Sequence, residues 1–242
     1  RSDPQIIGFS NAHIYRSGLN LSEDQAKNYR LQQEAGVHMV QVSGASQRQS
    51  GGSRSWFNET EAKKAVEKAA SIYEENRGLE IGIVTPYRAQ LDLIKEMLQE
   101  TGMLEGIKSG TADTYQGDER DIMIFSPVIS SGMAPGSINW VEKPHNRINV
   151  AVTRARHSLY VIGDINFCVS NCSGILQKLA IYCRAINKMR EANSPGELEL
   201  HKLLTLQGYN PEIHYFINND MEVDFFIKSD TGVKLAIEVD GS

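Results

Sequence analysis

The stretch Asn146-Arg-Ile-Asn-Val-Ala-Val-Thr-Arg-Ala-Arg-His-Ser-Leu-Tyr-Val-Ile-Gly-Asp164 decides how we interpret the fold. Apolar residues recur at helical spacing in its first half, with Arg154 and Arg156 beside them. Its second half contains the β-branched run 159–162, closed by Gly-Asp, which is typical of a buried strand. The pattern therefore predicts a short helix that carries two arginines to the ligand-binding edge of a parallel sheet.

Two further stretches accompany this one. Ile81-Gly-Ile-Val-Thr-Pro-Tyr-Arg-Ala-Gln90 reads as a buried strand whose Thr-Pro turn opens a helix, expected over 88–99. Thr111-Ala-Asp-Thr-Tyr-Gln-Gly-Asp-Glu-Arg-Asp121 is a polar loop with a glycine hinge, and it leads into an apolar strand at 122–128. Strands that alternate with helices of this length favour an α/β fold with a doubly wound parallel sheet.

The order and spacing of the three stretches resemble motifs IV, V and VI in the second RecA-like domain of superfamily 1 helicases, most closely the RNA-surveillance type of superfamily 1B. The resemblance covers roughly residues 5 to 170. It implies a RecA-like domain over residues 1–192 and ATP-driven movement along single-stranded DNA or RNA. Three ordered motifs are far more specific than any single one.

The resemblance also assigns roles at the ATP site. Arg154 matches the arginine finger of motif VI, which would approach the γ-phosphate, and Arg156 would brace the motif against nearby carboxylates. Three residues of the motif V loop would couple the nucleotide state to the binding of the nucleic-acid strand. They are Gln116, Gly117 and Glu119.

The chain departs from the family pattern at two positions. Where relatives have Asn-Arg-Thr-Glu-Ala, this chain has Asn58-Glu-Thr-Glu-Ala62, so Glu59 replaces an arginine expected at the phosphates. Either Arg54 or Arg88 substitutes for it, or the finger acts alone and ATP hydrolysis is weakened. Motif V also lacks its usual arginine, since the chain reads Val128-Ile-Ser-Ser131.

Candidate contacts to a nucleic-acid strand lie at the ends of the predicted β-strands. They are Thr85, Tyr87, Thr111 and Ser126, whose hydroxyls or backbone amides would meet sugar-phosphate oxygens. Capping of turns and packing of strands explain the same residues equally well.

A phosphate-binding Gly-x-x-x-x-Gly-Lys-[Ser/Thr] loop is absent from the sequence. In the resembled family that loop lies in a first RecA-like domain, N-terminal to this segment. We therefore expect ATP with Mg²⁺ to be held jointly with an upstream domain of the same protein, and the present chain to contribute half of the site.

A second unit is expected over residues 193–242, after the boundary Asn193-Ser-Pro-Gly. A helix there contains Glu197, and three strand candidates follow it, with Asp224 on the second and Glu238-x-Asp240 on the third. Acidic residues on one face of neighbouring strands favour a divalent metal with oxygen ligands, here Asp224 and Glu238 with Mg²⁺ or Mn²⁺. The metal would activate water against a phosphodiester.

This unit resembles the PD-(D/E)XK (restriction-endonuclease-like) core of very-short-patch repair nucleases over roughly residues 194 to 241. The resemblance implies catalytic roles for Glu197, Asp224, Glu238 and Asp240. Because the sequence stops directly after the third strand, we expect the unit to be incomplete here. Solvent-facing acids on an edge hairpin are the plainer interpretation.

Composition limits the remaining alternatives. A net charge of −5 argues against a strongly basic protein that coats nucleic acid. Three cysteines without metal-site partners predict buried or free thiols in a reducing compartment, and without a signal peptide or an 18-residue apolar span we expect a cytoplasmic protein away from membranes. A nucleic-acid-binding module with a decayed ATP site, supported by Glu59, is the rival hypothesis. A dinucleotide enzyme is excluded for want of Gly-x-Gly-x-x-Gly.

Local patterns complete the expected elements. We predict strands at 6–9 and 37–42, helices at 21–35, 58–75 and 175–192, a mobile loop at 44–56, and a loop between Ser130 and Pro144.

Overall fold

The computed structural model of the chain describes residues 2–15, 35–50, 55–115, 117–142, 146–191, 194–218, 220–228 and 232–239. The helix expected over 21–35 lies outside these ranges except for its last residue. Arg54, Gln116 and Asp240 also lie outside the described residues, so their assignments stay predictions.

A five-stranded sheet forms the centre of the fold, and every neighbouring pair in it is parallel. Its strands, numbered along the chain, are β1 (Gly36–Gln41), β4 (Ile81–Val84), β5 (Ile107–Gly110), β6 (Arg120–Phe125) and β7 (Ala155–Gly163). They lie side by side in the order β1-β7-β6-β4-β5. All three motif stretches therefore feed adjacent central strands.

Helices cover both faces of this sheet because its strands are apolar on both sides. Ile122 and Ile124 of β6 face a core shared with α2 (Glu59–Glu75) and α3 (Arg88–Glu100). Met123 and Phe125 face the opposite core. The helices of that side are α1 (Pro4–Ser10), α5 (Asn146–Thr153), α6 (Ile165–Asn171) and α7 (Ile175–Glu191). This is the RecA-like, doubly wound α/β arrangement, as predicted.

The strand expected at residues 6–9 is wrong, because α1 is a helix there. Its start signals are present in the sequence: the Asp3 carboxylate accepts a hydrogen bond from the amide of Gln5 at 2.9 Å, and Pro4 occupies the first turn. One π-helical turn, Asn11–Tyr15, continues the helix where a loop was expected. Apolar side chains at 6, 7 and 9 fit a buried helix as well as a strand.

Two expected loops contain regular structure. The segment 44–56 includes β2 (Gln47–Arg48) and the first residue of the short strand that pairs with it, β3 (Trp56–Phe57). The segment 130–144 includes α4 (Pro135–Glu142), which buries Ile138 and Val141. Proline at its first position starts this helix rather than breaking one, which the loop prediction overlooked.

A separate antiparallel sheet follows α8 (Pro195–Leu206). Its strands are β8 (Glu212–Ile217), β9 (Met221–Lys228) and β10 (Lys234–Ile237), in the order β10-β9-β8. Phe225 of β9 packs against Ile186 and Met189 of α7, which joins the two units by an apolar contact. The domain boundary at residue 193 stays a prediction.

The three cysteines Cys168, Cys172 and Cys183 are buried free thiols, as predicted. No helix within the described ranges is long and apolar enough to cross a membrane.

A buried carboxyl group lies at the carboxyl ends of the central strands. Glu61, in the first turn of α2, is fully buried. Its Oε1 accepts hydrogen bonds from the Ser126 hydroxyl at 2.6 Å and the Val128 amide at 2.8 Å. Burial raises the pKa of Glu61 to about 8, although these two hydrogen bonds lower it.

The raised pKa of Glu61 predicts a specific pH dependence of stability. Between about pH 4.5 and pH 8 the folded protein holds a proton that the unfolded chain has released, so the free energy of unfolding falls as pH rises. This contribution is at most about 1.4 kcal/mol per pH unit and ends above pH 8. Chemical denaturation from pH 6 to pH 9 should show a steeper decline in the wild type than in Glu61→Gln.

Glu59→Gln is the control for that comparison, because Glu59 is an exposed acid on the same helical turn. It should keep the wild-type slope. Equal slopes for the wild type and Glu61→Gln would show that the buried carboxyl is ionised throughout.

Candidate functional site

Four of the predicted ATP-site residues, Gly117, Glu119, Arg154 and Arg156, lie at the amino edge of the sheet, where its parallel strands begin. Helix α5 ends at Thr153, so Arg154 occupies the turn before β7 and Arg156 lies in the strand itself. The predicted short helix is present as α5, but it ends before both arginines, and they lie at the amino edge rather than at the carboxyl edge where open α/β folds place ligands. The strand begins four residues earlier than the apolar run 159–162 suggested, since β7 starts at Ala155.

Arg154 is held in place by its backbone rather than by a salt bridge. Its carbonyl accepts a hydrogen bond from the Arg120 amide at 2.9 Å, which ties the turn to the start of β6. Its Nη2 lies 3.4 Å from the Thr153 hydroxyl, and its Nε is buried without a hydrogen-bond partner among the described residues. A half-buried guanidinium without a carboxylate partner in that part of the chain fits an anionic ligand.

Arg156 differs from Arg154 because it is already ion-paired. Its Nη2 contacts the carboxylate of Glu80, which precedes β4, and lies 3.1 Å from Asp121 Oδ1 on β6. These contacts clamp the amino ends of three adjacent strands, β4, β6 and β7. Arg156 therefore supports the position of Arg154.

The motif V loop borders the same edge. Gly117 has a φ of +86°, a conformation that favours glycine, and Glu119 is exposed next to the start of β6. Asp118 is fixed by Lys108 and by Arg120, whose Nη1 and Nη2 lie 2.8 and 3.0 Å from the two carboxylate oxygens. The hydrogen bond from Lys108 keeps the pKa of Asp118 below its usual value.

Neither Arg88 nor Glu59 lies at this amino edge. Arg88 begins α3 just after β4 ends, is largely exposed, and pairs with Asp92 at 3.1 Å. Glu59 follows Asn58, whose side chain donates to Gly44 O and to Ser130, both of which lie beyond the carboxyl ends of the strands. Glu59, which stands where the resembled family has an arginine, therefore lies away from Arg154, and a weakened ATP site stays a prediction.

The residues predicted to contact the nucleic-acid strand lie at the opposite, carboxyl edge of the sheet, and only some of them are accessible. Tyr87 and Thr111 line a pocket of about 550 Å³. Thr85 and Ser126 are fully buried, and the hydroxyl of Ser126 is engaged by Glu61 and Gln90. Thr85 and Ser126 therefore support the edge from beneath. Because they are buried, their side chains cannot directly contact a nucleic-acid strand.

Two residues of that pocket escaped the sequence analysis. Trp140 of α4 is 44% exposed, and its ring centroid lies 5.1 Å from that of Tyr87. The Arg147 guanidinium lies 3.8 Å from the centroid of the Trp140 indole, within cation–π distance. An exposed tryptophan in a Gly/Pro-rich segment was the available signal. We call Tyr87, Trp140 and Arg147 the aromatic platform.

The second unit brings together only part of its predicted acidic set. Glu197 of α8 and Asp224 of β9 lie close to His214 of β8, with one ligand atom of each within 4.8 Å of the others. Glu238 follows β10 and is exposed, outside this group, while the amide of Val239 donates to Asp224 Oδ2 at 2.7 Å. His214 was not predicted from the sequence, because its position depends on how β8 pairs with β9.

Comparison with known proteins places the chain in a family. Residues 1–166 match the family model described as "AAA domain", which is more than half of the chain. The chain belongs to this AAA domain family.

Individual relatives are helicases by name. The chain is 33% identical to Drosophila melanogaster "Probable RNA helicase armi" over 143 residues, which is 56% of the chain and 12% of that protein. It is 40% identical to human "DNA replication ATP-dependent helicase/nuclease DNA2" over 103 residues, 41% of the chain and 9% of that protein. Schizosaccharomyces pombe "ATP-dependent helicase upf1" is 35% identical over 117 residues, 46% of the chain and 12% of that protein. The matches thus span about a tenth of each relative's length.

Proposed function

We propose that the chain is the second RecA-like domain of an ATP-dependent helicase or translocase that moves along single-stranded DNA or RNA. The observation that carries this proposal is Arg154, a half-buried guanidinium without a carboxylate partner among the described residues, set beside the motif V loop at one edge of the sheet. The helicase relatives support it. A first RecA-like domain of the same protein supplies the phosphate-binding loop in this proposal.

ATP bound with Mg²⁺ supplies the phosphoryl group whose transfer to water drives movement. Arg154 would stabilise the charge that develops on the γ-phosphate, since a guanidinium stays protonated at any physiological pH. Arg156 holds the strand that positions it, and Glu119 and Gly117 form the adjoining wall. The Arg154 guanidinium, without a carboxylate partner among the described residues, fits an anionic ligand.

In the complete protein, Arg154→Ala should lower the kcat of nucleic-acid-stimulated ATP hydrolysis by about 10³-fold or more. Nucleotide affinity should fall much less, because the charge to be stabilised grows in the transition state. The melting temperature should stay close to that of the wild type, since no ion pair of the described residues is lost. Unchanged turnover would make Arg154 a structural residue.

Arg156→Ala is the matched control. This variant removes the contacts with Glu80 and Asp121 and should lower the free energy of unfolding by about 1–3 kcal/mol. Its loss of activity should therefore come with a loss of stability, whereas that of Arg154→Ala should not.

We propose that the aromatic platform is the surface that binds the nucleic-acid strand. Trp140 is 44% exposed, and the Tyr87 ring packs beside it with its hydroxyl donating to Ser137 O at 2.9 Å. The Arg147 guanidinium lies over the indole and adds positive charge. Aromatic faces stack nucleobases without regard to sequence, and a cation beside them attracts the backbone. Thr111 lines the same pocket and remains a candidate contact.

Trp140→Ala should weaken binding of a fluorescent single-stranded oligonucleotide by about 1–3 kcal/mol, or roughly 5- to 150-fold, as measured by anisotropy. Leu104→Ala serves as the control, because Leu104 is similarly exposed (41%) and lies before β5 at the amino edge. The platform assignment fails if both variants bind like the wild type.

For the second unit we propose a metal-dependent nuclease of the PD-(D/E)XK type. The proximity of Glu197 and Asp224 supports it, because two carboxylates this close repel unless a cation or proton lies between them. A divalent ion held there would activate a water molecule against a phosphodiester. Glu238 and Asp240 stay predicted members of this site.

Metal-dependent cleavage of single-stranded DNA or RNA by the complete protein tests this proposal. Asp224→Asn keeps the shape of the side chain but removes its charge, and it should abolish cleavage. Glu199→Gln should cut normally, since Glu199 is an exposed acid on the same helix as Glu197. Equal cutting by the wild type and Asp224→Asn would leave these acids as a solvated strand face.

A further inference from the structure

His214 lies beside Asp224 because of the register between two strands. In the antiparallel β8–β9 pair, Ile213 lies opposite Phe225 and Tyr215 lies opposite Val223. His214 therefore faces Asp224 across the ladder. Its φ of +49° is uncommon for a residue other than glycine, and its side chain is only 16% exposed.

Glu197 completes the group from a third element, the helix α8. One ligand atom each from Glu197, His214 and Asp224 lies within 4.8 Å of the other two, so a single ion can reach all three. Each carboxylate also accepts one hydrogen bond, from the Ser194 hydroxyl to Glu197 and from the Val239 amide to Asp224. Such contacts fix the orientation of a ligand side chain.

The imidazole of His214 has one nitrogen with a partner and one without. Nδ1 lies 3.3 Å from Glu222 Oε1. Nε2 is buried and has no hydrogen-bond partner among the described residues. A buried polar atom left unsatisfied is costly, and metal coordination through Nε2 would satisfy it while Glu222 fixes the ring from the other side.

We propose that His214 is a metal ligand and forms, with Glu197 and Asp224, a mixed nitrogen–oxygen site for a first-row transition-metal ion such as Mn²⁺ or Co²⁺. An imidazole ligand favours such ions over Mg²⁺, which prefers oxygen ligands and retains several waters. The site deepens the proposed nuclease function and rests on it for what the metal does, but the binding of the metal stands on the geometry alone.

The experiment uses Mn²⁺ as the probe on the chain described above, with electron paramagnetic resonance as the readout. Wild-type protein should bind Mn²⁺, and electron spin-echo modulation should show coupling of the ion to a directly bound ¹⁴N. Excess Mg²⁺ should displace Mn²⁺ poorly. Bound Mn²⁺ without ¹⁴N coupling, or no binding at millimolar Mn²⁺, would overturn the proposal.

Three variants assign the ligand. His214→Ala should lose the ¹⁴N coupling and weaken Mn²⁺ binding by about tenfold or more, which corresponds to about 1.4 kcal/mol. Asp224→Asn should weaken binding while keeping any residual ¹⁴N signal, and Glu199→Gln should behave like the wild type. Retention of the ¹⁴N coupling in His214→Ala would assign it to another nitrogen and refute the role of His214.

Cleavage assays on the same preparations separate this proposal from the nuclease function. Nitrogen-coordinated Mn²⁺ without cleavage supports the metal site and counts against the nuclease. Metal-dependent cleavage without ¹⁴N coupling supports the nuclease and refutes ligation by His214.

Discussion

The buried carboxyl of Glu61 is the interaction on which the carboxyl edge of the sheet depends. A carboxyl group removed from water is costly to ionise, and burial raises its pKa to about 8. It is retained because it accepts hydrogen bonds from Ser126 and Val128, the first residues after β6. The strand thus ends beside this acceptor, and Val128 has a φ of +65° there.

Hydrogen bonds extend from Glu61 to α2, α3 and the segments after β1 and β6. Gln90 of α3 donates to Ser126 at 3.0 Å and to Asn58 O at 3.2 Å, and its own oxygen accepts from the Asn58 amide at 2.8 Å. Asn58 caps α2 and reaches Ser130 at 3.3 Å. Because this network holds the loop after β6, it also sets where α4 begins and so where Trp140 lies. The aromatic platform rests on a buried polar layer that satisfies most of its own hydrogen-bonding groups.

The sequence predicted the elements whose signals are local and left open those that depend on pairing. Apolar runs at 81–84 and 159–162 and the Asn58 cap predicted strands and a helix that the structure has. The strand predicted at 6–9 was wrong because three buried apolar residues fit the period of a helix as well as that of a strand. Only Asp3-Pro4 indicates that a helix starts there. Ser126 and Thr85 were correctly placed at strand ends, yet exposure cannot be read from a hydroxyl residue, and both are buried. The sequence could not predict that His214 belongs to the site, because Asp224 is ten residues away along the chain and is brought close only by the β8–β9 register.

The two edges of the sheet are joined by one short helix. Helix α5 begins beside Arg147, which stacks on Trp140 at the carboxyl edge, and ends one residue before Arg154 at the amino edge. Its eight residues span about 12 Å. They are anchored by Ile148, Ala151 and Val152, all fully buried in the core beneath the sheet. A hydrogen-bonded helix of this length transmits displacement along its axis with little internal compression. If Arg154 follows the γ-phosphate as proposed, α5 links that movement to Arg147 of the aromatic platform, because the two arginines lie at opposite ends of this helix.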